Sequence, residues 1–160
     1  MIPNLILRHA SRAIAIFTVA IVATPLATSQ LAAQQSSVLV RDAWVREAAA
    51  GRAVTGAFMI LENAGSAARA LVSATASVGD TLELHEMKRT DGMMSMAPVK
   101  RIEVPAKGET ALRPGGYHLM LFGLRKPLVA NDTVQFTLTF DDGSTTQVAA
   151  TVRSMQGRMP

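Results

Sequence analysis

The chain predicts an all-β domain built as an antiparallel β-sandwich, because apolar runs of strand length recur along it, turn residues separate them, and no convincing helix interrupts them after the N-terminal stretch. Many short strands with regular turns bury their alternate side chains most economically between two packed layers.

Taken in order, Val38 to Arg46 and Ala53 to Leu61 are the first two strand-like runs, and Asn63-Ala64-Gly65 turns the chain after them. Ala70 to Ala74 and Thr81 to Lys88 follow, with Asp91-Gly92 as the next turn signal. Val99 to Val104 stops at the Pro105 to Gly108 segment, and Pro114-Gly115-Gly116 introduces His118 to Phe122. Asn131-Asp132 precedes Val134 to Phe140, and Asp141-Asp142-Gly143 leads into Gln147 to Val152. In the run from Val134 the apolar residues Val134, Phe136, Leu138 and Phe140 alternate with Gln135, Thr137 and Thr139, the period of a half-buried strand.

A chain of 160 residues that is 49% hydrophobic has enough apolar surface for one real core. The organisation reads as a leader over 1–33, a β-domain over 34–153 and a short tail over 154–160. The leader has basic Arg8 and Arg12, then an uncharged apolar run from Ala13 to Ala27, which is the pattern of a secretory signal peptide. The run is short for a bilayer-spanning helix, which needs about 20 apolar residues, and Pro25 breaks its end. Cleavage after Ser29 or after Ala33 both fit, with a mature start near Gln34 favoured. No cysteine is present to carry a lipid, so a lipid-modified terminus is not expected. The short leader run implies no stable membrane insertion, and export by the signal peptide implies the periplasm.

The pI near 10.1 invites a nucleic-acid reading. The charges argue against it: without Arg8 and Arg12 the 16 basic residues fall to 14, against 12 acidic ones. They are also mixed in sign, as in Arg41-Asp42 and Lys100-Arg101-Ile102-Glu103, the habit of a solvated surface. A modest positive rim would still orient the protein toward an acidic partner.

Four donors stand out in a chain with only three histidines and no cysteine: His85, Met96, His118 and Met120. Thioether sulfur suits Cu(I) far better than hard or borderline ions, and imidazole accepts copper in both oxidation states. In His118-Leu119-Met120 one residue separates the donors, so on a strand both project from one face. Thiolates in an oxidising compartment risk disulfide formation, whereas thioethers do not pair.

The spacing H-x10-M-x21-H-x-M, from His85 through Met96 and His118 to Met120, resembles the signature of the periplasmic copper chaperone family PCu(A)C. Leu84-His85-Glu86-Met87, Gly92-Met93-Met94-Ser95-Met96, Tyr117-His118-Leu119-Met120-Leu121 and the upstream Asp42-Ala43-Trp44-Val45-Arg46 carry the same resemblance, which runs from about Val38 to Arg153. It implies a cupredoxin-like or immunoglobulin-like sandwich. It also implies delivery of Cu(I) to the CuA centre on the copper-bearing subunit of cytochrome c oxidase, alongside a thiol-bearing assembly protein. Some relatives carry a longer His- and Met-rich tail, whereas Met155 and Met159 here have no histidine beside them.

Each donor has a plainer reading. A single methionine is usually core filler, and a lone histidine in a strand is more often a hydrogen-bonded side chain than a ligand. Their joint occurrence at the family spacing reverses that preference. Met87, two residues after His85, shares its face and is an auxiliary ligand candidate. Met93 and Met94 are expected in a loop or hairpin arm as a hydrophobic cap, Met59 in the core, and Trp44, the only tryptophan, as the anchor of the sandwich. Each imidazole is expected to give its other N–H to an acceptor, with Glu83 and Glu86 nearest His85 in sequence.

Other functions fit less well. An electron-transfer cupredoxin needs a cysteine thiolate, and an enzyme needs a nucleophile pair, carboxylate dyad or zinc motif that is not visible here. A copper buffering or resistance protein without a dedicated acceptor, or a metal-free binding module, remains as the alternative. A monomer without nucleic-acid contacts is expected.

Overall fold

The computed structural model describes residues 36–90 and 92–154, so the expected leader and the tail from Met155 onward, with Met159, lie outside the described residues. Ten strands follow one another: β1 (Val38–Arg46), β2 (Val54–Asn63), β3 (Arg69–Ala76), β4 (Thr81–Thr90), β5 (Met93–Pro98), β6 (Ile102–Val104), β7 (Gly108–Leu112), β8 (Tyr117–Phe122), β9 (Thr133–Phe140) and β10 (Thr145–Arg153). They are hydrogen-bonded in the order β5-β4-β8-β2-β1-β10-β9-β3-β6, with β7 also pairing β2. Every strand but the exposed β5 contributes inward side chains to one contiguous cluster, among them Met59, Leu61, Leu84, Leu119, Phe136 and Val152. A sheet that buries a single face this completely must fold over on itself, which makes the β-sandwich.

The alternation read in the sequence holds in β9, where Val134, Phe136, Leu138 and Phe140 are all buried. Full burial of side chains this size contributes about 1.5–3 kcal/mol each. Met59 is buried in the same core, as expected.

Two differences from the expected all-antiparallel sandwich matter. β1 pairs β10 in parallel, with Trp44, Val45 and Arg46 opposite Thr151, Val152 and Arg153. The first and last strands of the domain thus meet at the seam between the two layers.

The second difference concerns Trp44. Val38 and Val40 face the core at the start of β1, but a bulge lies between Arg41 and Trp44, where three steps on β1 match two on β2. Asp42 adopts φ 51° there, a left-handed conformation that aspartate tolerates better than most residues. The extra residue inverts the parity, so Val45 is buried and Trp44 is turned to the outer face, half-exposed. Trp44 is therefore not the internal anchor that its size suggested.

Candidate metal centre

Strand parity puts the donors on the outer face of the β5-β4-β8-β2 layer. On β4, Leu84 faces the core while Glu83, His85 and Met87 alternate with it. On β8, Leu119 and Leu121 face the core while His118 and Met120 look outward. Register then joins them: His85 lies opposite His118 and Glu83 opposite Met120 across the β4–β8 pair. Met96 on β5 lies opposite Met87, and Gly56 on β2 lies opposite Met120.

His118 is held most firmly. Arg113-Pro114-Gly115-Gly116 forms a tight turn, with the Gly116 N–H bonded to the Arg113 carbonyl at 3.0 Å and Gly115 at φ 82°. Proline at its second position and glycine at its third are what a type II turn requires. The turn aims the Gly116 carbonyl back at the site, where it accepts from the Met87 N–H at 3.1 Å and from His118 Nδ1 at 2.9 Å. In the neutral ring, a proton on Nδ1 leaves Nε2 with a bare lone pair. That nitrogen sits 3.0 Å from Met96 Sδ, so a nitrogen and a sulfur lone pair converge on one region.

His85 is fixed through the other nitrogen. Its Nε2 lies 2.9 Å from Glu83 Oε2, which makes Glu83 rather than Glu86 the acceptor that orients this ring. Glu86 pairs with Lys88 instead, at 2.9 Å. His85 Nδ1 is buried with no hydrogen-bond partner, and an orphaned buried nitrogen is uncommon enough to require a reason. The ring stands between His118 and Phe122, with centroids 5.9 Å and 6.2 Å away.

Met96, His118, Met120 and Met87 line a cleft of about 840 Å³, together with Phe58, Gly56, Pro114, Gly115 and residues of the β1–β2 loop. His85 does not line the cleft itself but adjoins His118, which does. A Cβ on Gly56 would come within 3.2 Å of Phe58 Cζ, so glycine keeps the floor beneath Met120 clear. Among the described residues no three His, Cys, Asp or Glu side chains gather as a metal nest. The donors that do gather in the cleft, Met87, Met96 and Met120 with His118, are mostly thioether, the mixture suited to a soft ion.

Met93 and Met94 do not form the expected cap. Their segment is the edge strand β5, exposed along its whole length, with Met93 and Met94 facing solvent. Phe58 and Gly56 escaped the sequence reading, although β2 holds buried residues of both parities from Thr55 to Met59. A strand with both faces covered carries something on its outer side. Trp44 stacks on Phe58 with centroids 4.4 Å apart, and Phe58 lies 6.2 Å from the His118 ring.

Comparison with known proteins identifies the family and the fold. The family model described as "Putative lipoprotein LpqE-like" matches residues 38–152. "Putative lipoprotein Lxx21020" of Leifsonia xyli subsp. xyli is 41% identical over 125 residues, covering 78% of this chain and 74% of the relative. This chain has no cysteine to bear the lipid that those names suggest. The solution structure of Cu(I)-DR1885 from Deinococcus radiodurans is 36% identical, with TM-score 0.61, covering 82% of this chain and 89% of that one. The copper-bound PCuAC domain from PmoF2, 16% identical with TM-score 0.63 over 76% of this chain and 96% of its own, shares the fold. Among the described residues no helix is long and apolar enough to cross a membrane. With most of its length matched by the family model and a relative this similar, the chain belongs to the LpqE-like, PCuAC-type family.

Proposed function

We propose that this chain is a periplasmic copper chaperone that holds Cu(I) between His85, Met96, His118 and Met120 and passes it to the CuA centre of cytochrome c oxidase. The observation that carries the proposal is the facing pair of lone-pair donors, His118 Nε2 and Met96 Sδ, 3.0 Å apart. With metal–nitrogen and metal–sulfur distances of about 2.0 and 2.3 Å at a tetrahedral angle, the two donors would stand about 3.5 Å apart. An opening of about half an ångström admits the ion. The buried Nδ1 of His85 supplies the second nitrogen, and Met120 the second sulfur from the same cleft. The copper and Cu(I) forms of the similar solved proteins support the choice of metal.

Four neutral ligands leave the cation's charge uncompensated, so the cradle binds less strongly than thiolates do. A dithiol acceptor therefore takes the ion downhill, releasing its own protons as the metal arrives. Met87, opposite Met96 on the same face, is placed to hold the sulfur side while other ligands exchange. Export by the 1–33 leader puts the carrier in the periplasm, as a monomer, where a thiol-bearing assembly protein serves the same oxidase subunit.

The test is to load the secreted form with Cu(I) under a competing chelator and present the metal-free CuA domain of the oxidase. Metal appearing on the oxidase domain faster than from the chelator alone supports the chaperone. Tight binding without transfer points to a copper buffer instead, and no uptake to a metal-free module.

A further inference from the structure

The arginines of this chain divide by position. Arg41, Arg69, Arg101 and Arg125 each pair with a carboxylate. Among the described residues Arg46, Arg52, Arg89, Arg113 and Arg153 have no ion pair; the first four belong to segments that border the cleft, and Arg153 lies opposite Arg46. Arg46 and Arg52 line it, Arg113 precedes Pro114 and Gly115 of its wall, and Arg89 follows Met87 on the same face of β4.

Arg46 and Arg153 sharpen the point. They lie directly opposite one another on β1 and β10, a like-charge pairing that destabilises a sheet. Each guanidinium is held over a ring, Arg46 at 5.8 Å from the Phe58 centroid and Arg153 at 5.7 Å from that of Trp44. These rings stack on each other, and Phe58 adjoins His118. Two cations are thus braced side by side on an aromatic shelf next to the donors. Among the described residues Glu47 is the one carboxylate lining the cleft.

A cationic cargo is not served by this placement, since positive charge without an ion pair opposes a bound copper ion. We infer that the cleft rim is a docking surface for an acidic protein segment, which brings carboxylates to the arginines and its own metal ligands to the cleft. The inference rests on the copper-carrier reading and adds the chemistry of the acceptor. A cleft of about 840 Å³ is many times the ~30 Å³ share of a water molecule, room for side chains as well as an ion. Arg46 and Arg52 line a hollow, and a protein loop enters a hollow where a flat anionic bilayer does not.

Docking is read on the metal-free full chain, so that it stands apart from copper transfer. Two labelled peptides of equal length, one rich in Glu and one in Lys, each with a Ser pair in place of Cys, are titrated by fluorescence anisotropy. The Glu peptide is expected to bind at least about tenfold tighter at low salt, the preference fading as NaCl rises to about 0.5 M. The pair R46Q/R52Q should weaken it at least about threefold while R125Q leaves it unchanged. Equal binding of both peptides, or equal loss in R125Q, overturns the inference, as does binding to phosphatidylglycerol vesicles without binding to the Glu peptide. A Cys-bearing Glu peptide that docks yet takes no Cu(I) from loaded protein contradicts the carrier reading and leaves the docking surface standing.

Discussion

Met96→Leu separates ligation from packing more cleanly than any other change in the site. Leucine conserves most of the volume and removes the sulfur. Met96 keeps 48% of its surface exposed on an edge strand, so little burial is at stake and the metal-free protein should lose less than about 0.5 kcal/mol. The sulfur itself stands 3.0 Å from His118 Nε2, so its loss deletes a donor outright. Removing a partner that merely orients a ligand weakens metal binding about 10–100-fold. Deleting a ligand should therefore reach at least about 100-fold, or about 2.7 kcal/mol. Anaerobic competition against a Cu(I) chelator measures the affinity, and thermal unfolding of the metal-free form measures the packing. Met94→Leu is the matched control, 54% exposed and two residues away on the same face, about 7 Å along the strand. An affinity within about threefold of wild type for Met96→Leu, or an equal loss in Met94→Leu, would refute the assignment of the sulfur.

Glu83→Ala frees the His85 ring from its 2.9 Å partner and should weaken Cu(I) binding about 10–100-fold, again by chelator competition; unchanged affinity would mean that Glu83 does not orient a ligand. Met59→Ala behaves oppositely: at 1% exposure it should destabilise the fold by about 2–5 kcal/mol in urea titration while the folded fraction binds copper normally. Asp142 is held below its ordinary 3.8, chiefly by hydrogen bonds from the Ser144 hydroxyl and N–H, with Arg69 assisting. A carboxyl whose folded value is depressed adds stability above the ordinary value and loses it as pH falls through the folded one. Wild type should therefore outlast Asp142→Asn near neutrality and converge with it as pH falls below the ordinary 3.8 and through the depressed folded value in acid unfolding; a gap that stays constant with pH contradicts this.

What the sequence discloses follows from where its signals are local. β9 was legible because its period-two alternation matches its burial residue for residue, and β1 because its apolar start and its ends agree with Val38–Arg46. β5 was not legible as a strand because every one of its residues is exposed, and an edge strand without a buried side has no alternation to read. β7, only five residues from Gly108 to Leu112, alternates part-buried with exposed positions but has Leu112 as its one buried side chain, too short and polar a run to stand out. The parallel pairing of β1 with β10 joins the two ends of the domain, which no local pattern encodes. Trp44 went astray through one left-handed residue, Asp42, that inverted the face of everything after it. The four donors were visible through their spacing, and His118 with Met120 through strand parity alone. The approach of Met96 to His118 depended on register, whereas Glu83, two residues from His85 on the same strand face, followed from parity; the unpaired arginines emerged only once strands distant in sequence lay side by side.

X-ray absorption at the copper edge of the Cu(I)-loaded chain tests the shared site most directly. Two nitrogen and two sulfur scatterers, at about 2.0 and 2.3 Å, are the expected shell. A shell of nitrogen and oxygen without sulfur would contradict it.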